Sequence, residues 1–220
     1  DGKPCTSVKW ISDTVIKCLV PEGLGKGKSV VVWAGDQNSK LDNAMWDYDV
    51  PEVTSVSPDH CRTFGECKLT IKGRNFGHEQ GEHIKVTIGG QLCTTLSRGN
   101  QPLWINQRTL ECFVRPGVGG KLDVRVTVSG QVSKPNDLFS YDIPVITSIL
   151  PKHGLCEGGL VANITGINFG TNDWKQTASI NGIKCKKTKW ISDTKLQCTT
   201  PTSYGARVKT TGFVSHQQSN

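Results

Sequence analysis

The segment Cys185-Lys-Lys-Thr-Lys-Trp190-Ile-Ser-Asp-Thr194-Lys-Leu-Gln-Cys198-Thr-Thr-Pro201 decides how this chain is read, because it occurs three times. Its first copy is Cys5-Thr-Ser-Val-Lys-Trp10-Ile-Ser-Asp-Thr14-Val-Ile-Lys-Cys18-Leu-Val-Pro21. A looser copy runs from Cys93 to Pro116. It keeps Trp104 eight residues before Cys112 and carries six extra residues between Cys93 and Trp104. A fixed period is the first thing to establish, since missing one misassigns the whole fold.

The flanks keep the same period. Trp46-Asp-Tyr48-Asp-Val50-Pro51-Glu-Val53 returns 93 residues later as Phe139-Ser-Tyr141-Asp-Ile143-Pro144-Val-Ile146. At the same shift Gly73-Arg-Asn75-Phe76-Gly77 returns as Gly166-Ile-Asn168-Phe169-Gly170. The repeat predicts three units: the C-terminal half of a domain in 1–50, a complete domain in 51–143, and a domain lacking its last strand in 144–220. The chain reads as a slice through a longer array. A period of this length buries an independent, modest core.

Nine cysteines in 220 residues are many for a cytosolic protein. Cys5 with Cys18, Cys93 with Cys112, and Cys185 with Cys198 hold the same place in each repeat, and Cys61 with Cys67 forms a local fourth pair. Zinc competes as an account, but no Cys-Xaa-Xaa-Cys exists and the histidines do not recur with the cysteines. Disulfides are therefore expected, each adding roughly 3 kcal/mol by chain entropy, and they imply an oxidising compartment. Cys156 is left over, free or bonded to another chain. Asn163-Ile-Thr165 is a glycosylation sequon, with Ile164 facing the core and Asn163 facing solvent. No apolar run approaches the ~20 residues of a membrane span.

No stretch carries helical periodicity. Within 51–143 strands are expected near 52–57, 67–72, 83–89, 109–114, 121–129 and 137–141, and in the first unit Ser29-Val-Val-Val-Trp33 reads as one β-branched strand. Many short strands punctuated by Gly, Pro and Asn predict an all-β sandwich. Two residues separate Tyr48 from Pro51 and Tyr141 from Pro144. Proline fixes its own φ and restricts its predecessor, so the joints are expected to be stiff and the units to form a rod.

Pro144-Val-Ile-Thr-Ser-Ile-Leu-Pro151, Gly158-Gly159, Ile164-Thr-Gly-Ile-Asn-Phe-Gly170, Ile180-Asn-Gly-Ile-Lys-Cys185, and Ser192-Asp-Thr-Lys-Leu-Gln-Cys-Thr-Thr-Pro201 resemble the IPT/TIG domain family, as does Phe139-Ser-Tyr141 one unit earlier. The resemblance covers essentially all 220 residues. It implies tandem immunoglobulin-like β-sandwiches, about two and a half of them. It settles no function, because such domains occur in plexins, long cell-surface arrays, carbohydrate enzymes and Rel-type transcription factors. The second unit departs from the pattern in Phe64-Gly65-Glu66, flanked by Cys61 and Cys67, and in its insertion near Gly99-Asn100-Gln101-Pro102. Either departure offers a place for a specific contact.

The leading expectation is a non-catalytic extracellular or cell-surface module serving adhesion, a receptor ectodomain or a surface filament. Its partners would be other chains, neighbouring array domains or copies of itself. The net charge of +7 keeps a DNA-binding factor as the alternative. The one dense basic cluster is Lys184, Lys186, Lys187 and Lys189, with no aromatic platform or arginine-rich loop beside it. That cluster also suits acidic glycans, which makes an accessory glycan-binding module the second alternative. Catalysis fares worst. Gly77-His78-Glu79-Gln80-Gly81-Glu82-His83 lacks the His-Glu-Xaa-Xaa-His spacing of a zinc helix, and no nucleophile motif occurs. No cofactor or metal is expected. Trp10, Trp104 and Trp190 are expected to pack against the disulfides. Aromatics that do not repeat, Trp33, Trp174 and Tyr204, and the 98–103 insertion are the candidate partner contacts.

Overall fold

Alternation along the strands builds the core. In Lys68–Arg74 the side chains of Leu69 and Ile71 are fully buried between exposed or half-exposed neighbours, and Ile84, Val86 and Ile88 do the same in Ile84–Ile88. The computed structural model describes residues 2–39, 45–81, 83–95, 99, 101–204, 210–214 and 217–218, the last two stretches by backbone pairing alone. Glu82, Arg98 and Asn100, named above, lie outside the described residues.

The second unit is two four-stranded antiparallel sheets. One has the spatial order Gln91–Leu92, Ile84–Ile88, Val124–Val128, Gln131–Val132; the other runs Leu103–Asn106, Thr109–Phe113, Lys68–Arg74, Glu52–Ser57. Between them lie Leu69, Ile71, Phe76, Val86, Leu110, Val124, Val126 and Phe139, all essentially fully buried. The third unit repeats this with Val145–Leu150, Val161–Ile167, Lys195–Thr199 and Lys187–Ser192 in one sheet, and Ile183–Lys184, Thr177–Ile180, Thr210–Val214 and Gln217–Gln218 in the other. Its core centres on Ile164, Phe169, Ala178, Leu196 and Cys198.

Four disulfides are present: Cys5–Cys18, Cys61–Cys67, Cys93–Cys112 and Cys185–Cys198. Cys112 lies in Thr109–Phe113 of one sheet, while Cys93 follows Gln91–Leu92 of the other, so this bridge staples the two layers. The pairing register shifts just after Trp10, Trp104 and Trp190, which places a bulge at the same point of all three units.

Two expectations are corrected in the first unit. Trp10 is 69% exposed, whereas Trp104 and Trp190 are half-buried against their cores. The strand over 29–33 is broken: Lys28–Ser29 and Trp33–Ala34 pair elsewhere, and Val30, Val31 and Val32 are exposed. One cause explains both. Around Trp104 the hairpin lies beside Lys68–Arg74, and Val124–Val128 lies beside Ile84–Ile88. Among the described residues the first unit forms only two-stranded sheets, Ser7–Ser12 with Val15–Leu19, Lys28–Ser29 with Met45–Trp46, and Trp33–Ala34 with Gln37–Asn38. Strand propensity is packing against neighbours more than a backbone preference, and no further described strand lies beside these pairs.

Candidate functional site

The joints between units are built from the residues that recur. Asn75 and Asn168 both adopt the left-handed conformation, φ 63° in each, which asparagine tolerates better than most residues. That twist aims their side chains at the chain entering the unit. Asn75 Nδ2 donates to Val50 O at 3.0 Å, and Asn168 Nδ2 donates to Ile143 O at 3.0 Å. Each two-residue linker is thus gripped by the unit that follows it. The preceding unit closes its own side with a tyrosine. Tyr48 Oη donates to Pro21 O at 2.9 Å and Tyr141 Oη donates to Arg115 O at 2.6 Å. Burial pushes the Tyr141 phenol up to about 12.

A small apolar plug completes each joint. Leu24 stands six residues after Cys18, and Val118 six after Cys112. A Cβ on Gly77 would meet Leu24 Cδ2 at 3.5 Å, and one on Gly170 would meet Val118 Cγ1 at 2.8 Å. The final glycine of the Asn-Phe-Gly turn is therefore the seat for the preceding unit's side chain. Trp174 lies over the same glycine, its Cε3 also 2.8 Å from a Cβ there. It is half-buried against the second joint. Trp190 Nε1 donates to Gly170 O at 3.0 Å.

The departures seen in the second unit now have places. Inside the Cys61–Cys67 loop Thr63 is 1% exposed, and its hydroxyl donates to Asp193 Oδ1 of the third unit at 2.7 Å. The same Asp193 oxygen accepts from Gly170 N at 2.8 Å. The embellished loop thus touches the neighbouring unit. No sequence signal names this pairing. The described end of the insertion packs on its own unit: Gln80 Nε2 donates to Pro102 O at 3.0 Å, Gln80 Oε1 accepts from Trp104 N at 2.6 Å, and Pro102 is buried.

These details place the family. A family model described as the IPT/TIG domain matches residues 51–141 and 144–220. The chain belongs to the IPT/TIG family. Among solved structures, it is similar in fold to the surface glycan-binding protein PbSGBP-B of Prevotella bryantii, at 16% identity and TM-score 0.50, over 78% of this chain and 41% of that one. A plexin A4 full extracellular region matches at 21% identity and TM-score 0.33 over 76% of this chain and 17% of that one. A Bacteroides ovatus mixed-linkage glucan utilization locus protein in complex with a mixed-linkage heptasaccharide matches at 14% identity and TM-score 0.29 over 76% of this chain and 40% of that one. This IPT/TIG chain therefore spans less than half the length of each.

The remaining candidate residues scatter. Trp33 is 66% exposed on the hairpin Trp33–Ala34/Gln37–Asn38, and Tyr204 is 79% exposed. Tyr204 stands six residues after Cys198, the place held by Leu24 and Val118. Cys156 is free and exposed. Its carbonyl accepts from Ser203 N as that of Thr63 accepts from Gly117 N, so Cys156 is the third unit's counterpart of Thr63. Leu155 beside it is 77% exposed. Asn163 lies on a central strand, half-exposed, with Oδ1 accepting from Gln197 Nε2 at 3.2 Å. Lys184, Lys186, Lys187 and Lys189 are exposed along the two edge strands on one side of the third unit. His78 Nε2 is 3.5 Å from Glu79 Oε1, and no group of three or more His, Cys, Asp or Glu able to hold a metal occurs among the described residues.

Proposed function

We propose that this chain is a non-catalytic segment of an extracellular array whose IPT/TIG units are held at set angles, serving cell-surface adhesion, a receptor ectodomain or a surface filament. The observation that carries this reading is the identity of the two joints: linker carbonyl on Asn75 or Asn168, and Leu24 or Val118 on Gly77 or Gly170. A tether evolved only to connect needs none of these contacts, while a spacer that sets geometry needs all of them. Four disulfides support a secretory or surface location. We further assign Tyr204 and Cys156 as part of the surface that receives a neighbouring IPT/TIG domain, since these residues stand where Val118 and Thr63 meet the third unit. Asn163 is the proposed glycosylation site.

Small-angle X-ray scattering tests the stiffness. The native chain should fit one conformation, and Val118→Asp should broaden the distance distribution while circular dichroism stays unchanged. A native profile that only a broad ensemble fits would sink the reading.

A further inference from the structure

We infer that one side of the third unit is a binding groove for a sulfated polysaccharide. This rests on the extracellular reading above and assigns that surface a ligand. A groove of about 310 Å³ runs between the edges of the two sheets, lined by Asp173, Lys175, Lys184, Lys186 and Lys187 around Cys185. The lysines come from two stretches: Lys175 from the loop after the Asn-Phe-Gly turn, and Lys184, Lys186 and Lys187 from the crossing between the edge strands Ile183–Lys184 and Lys187–Ser192. Lys189 extends the row, two residues along the same face of that strand.

None of these five lysines forms an ion pair with a carboxylate among the described residues. Lys186 Nζ donates to the Glu157 carbonyl at 3.4 Å. The one acid in the groove, Asp173, turns Oδ1 to the backbone N–H of Lys175 at 2.9 Å. The groove is therefore lined by four ammonium groups with no paired carboxylate among the described residues, a concentration of positive charge that attracts an anion.

Protection of exposed edges accounts for some edge lysines, yet it does not account for this set. In the second unit the edge strands Leu103–Asn106 and Gln91–Leu92 contain no lysine. There the described end of the insertion packs onto its own unit, with Pro102 buried and its carbonyl held by Gln80. The third unit has no such insertion, and its groove stays open. An extended polyanion with charges repeated along its length matches lysines spaced along two strand edges. A single small anion would need a convergent, buried donor set instead.

Heparin serves as the probe, with uncharged dextran and duplex DNA as comparators, all measured by surface plasmon resonance at several salt concentrations. Heparin should bind with affinity falling as salt rises, dextran should not bind, and DNA should bind more weakly. Lys175→Gln/Lys184→Gln/Lys186→Gln/Lys187→Gln should weaken heparin at least tenfold. Lys72→Gln/Lys85→Gln/Lys121→Gln/Lys134→Gln, an equal charge change in the second unit, should weaken it less than twofold. Equal losses from the two variants would mean diffuse charge attraction and overturn the site, as would absence of heparin binding. Tighter binding of DNA would overturn the ligand class. Disulfide mapping of the same sample reports separately on the extracellular reading.

Discussion

The hydroxyl of Thr63 donates across the second joint to the carboxylate of Asp193, at 2.7 Å. Thr63 is held between Cys61 and Cys67, which are bridged at a sequence separation of 6, and Asp193 also receives the N–H of Gly170. A hydrogen bond to a charged group contributes about 1.5–3 kcal/mol when shielded from water. A double-mutant cycle of Thr63→Val and Asp193→Asn, read from denaturant unfolding, should give a coupling of about 1–2 kcal/mol between second and third units. Additive effects would mean that the contact does not couple the units.

The glycine before each Asn-Phe-Gly turn leaves no room for a methyl group. A Cβ on Gly166 would overlap the Val145 carbonyl and the Phe169 ring, as one on Gly73 would overlap the Glu52 carbonyl. Gly166→Ala should destabilise the third unit by about 2–3 kcal/mol through overpacking. Gly154→Ala, where the added Cβ makes ordinary contact with Leu160, should cost less than about 0.5 kcal/mol. Thermal unfolding of both variants measures the difference.

Tyr141 gives the second unit an alkaline limit. Its folded pKa of about 12 lies above the ordinary phenol value of 10.0 because burial disfavours the phenolate. The stability this contributes is fully present below pH 10 and is lost as pH rises through 12. Tyr141→Phe keeps the ring that stacks edge-on against Phe139 and loses the hydrogen bond to Arg115 O. The variant should be about 1 kcal/mol less stable at pH 7. Its melting temperature should lack the native fall between pH 10 and 12.

Much of the fold was legible because repetition did the work of several independent sequences. Six strands of the second unit fall where alternation and turn residues put them, and the Cys–Trp–Cys segments form hairpins closed by disulfides. The short strands Leu103–Asn106, Gln91–Leu92 and Gln131–Val132 carry no alternation long enough to read. The joints were legible only as stiff. Asparagine in a Gly-Xaa-Asn-Phe-Gly stretch signals a turn, but nothing local says that its side chain grips a linker carbonyl 25 residues upstream. Thr63 and Asp193 lie 130 residues apart, and although Asp13 repeats Asp193, Thr63 is replaced by Cys156 in the third unit, so no pattern could pair them. Leu24, Val118 and Tyr204 differ in residue type, which hid a position that the geometry makes plain.

Removing the layer-spanning bridge should expose how much each small core depends on it. Cys93→Ala/Cys112→Ala should lose about 3 kcal/mol, read by urea unfolding. Cys61→Ala/Cys67→Ala should lose less from the second unit itself and instead weaken the Thr63–Asp193 coupling.

The most direct test of the extracellular array is peptide mapping by mass spectrometry on native, unreduced protein. The account predicts Cys5–Cys18, Cys61–Cys67, Cys93–Cys112 and Cys185–Cys198 bridged, glycan on Asn163, and Cys156 accounted for as a free thiol or a link to a second chain. Nine reduced thiols together with an unmodified Asn163 would contradict it.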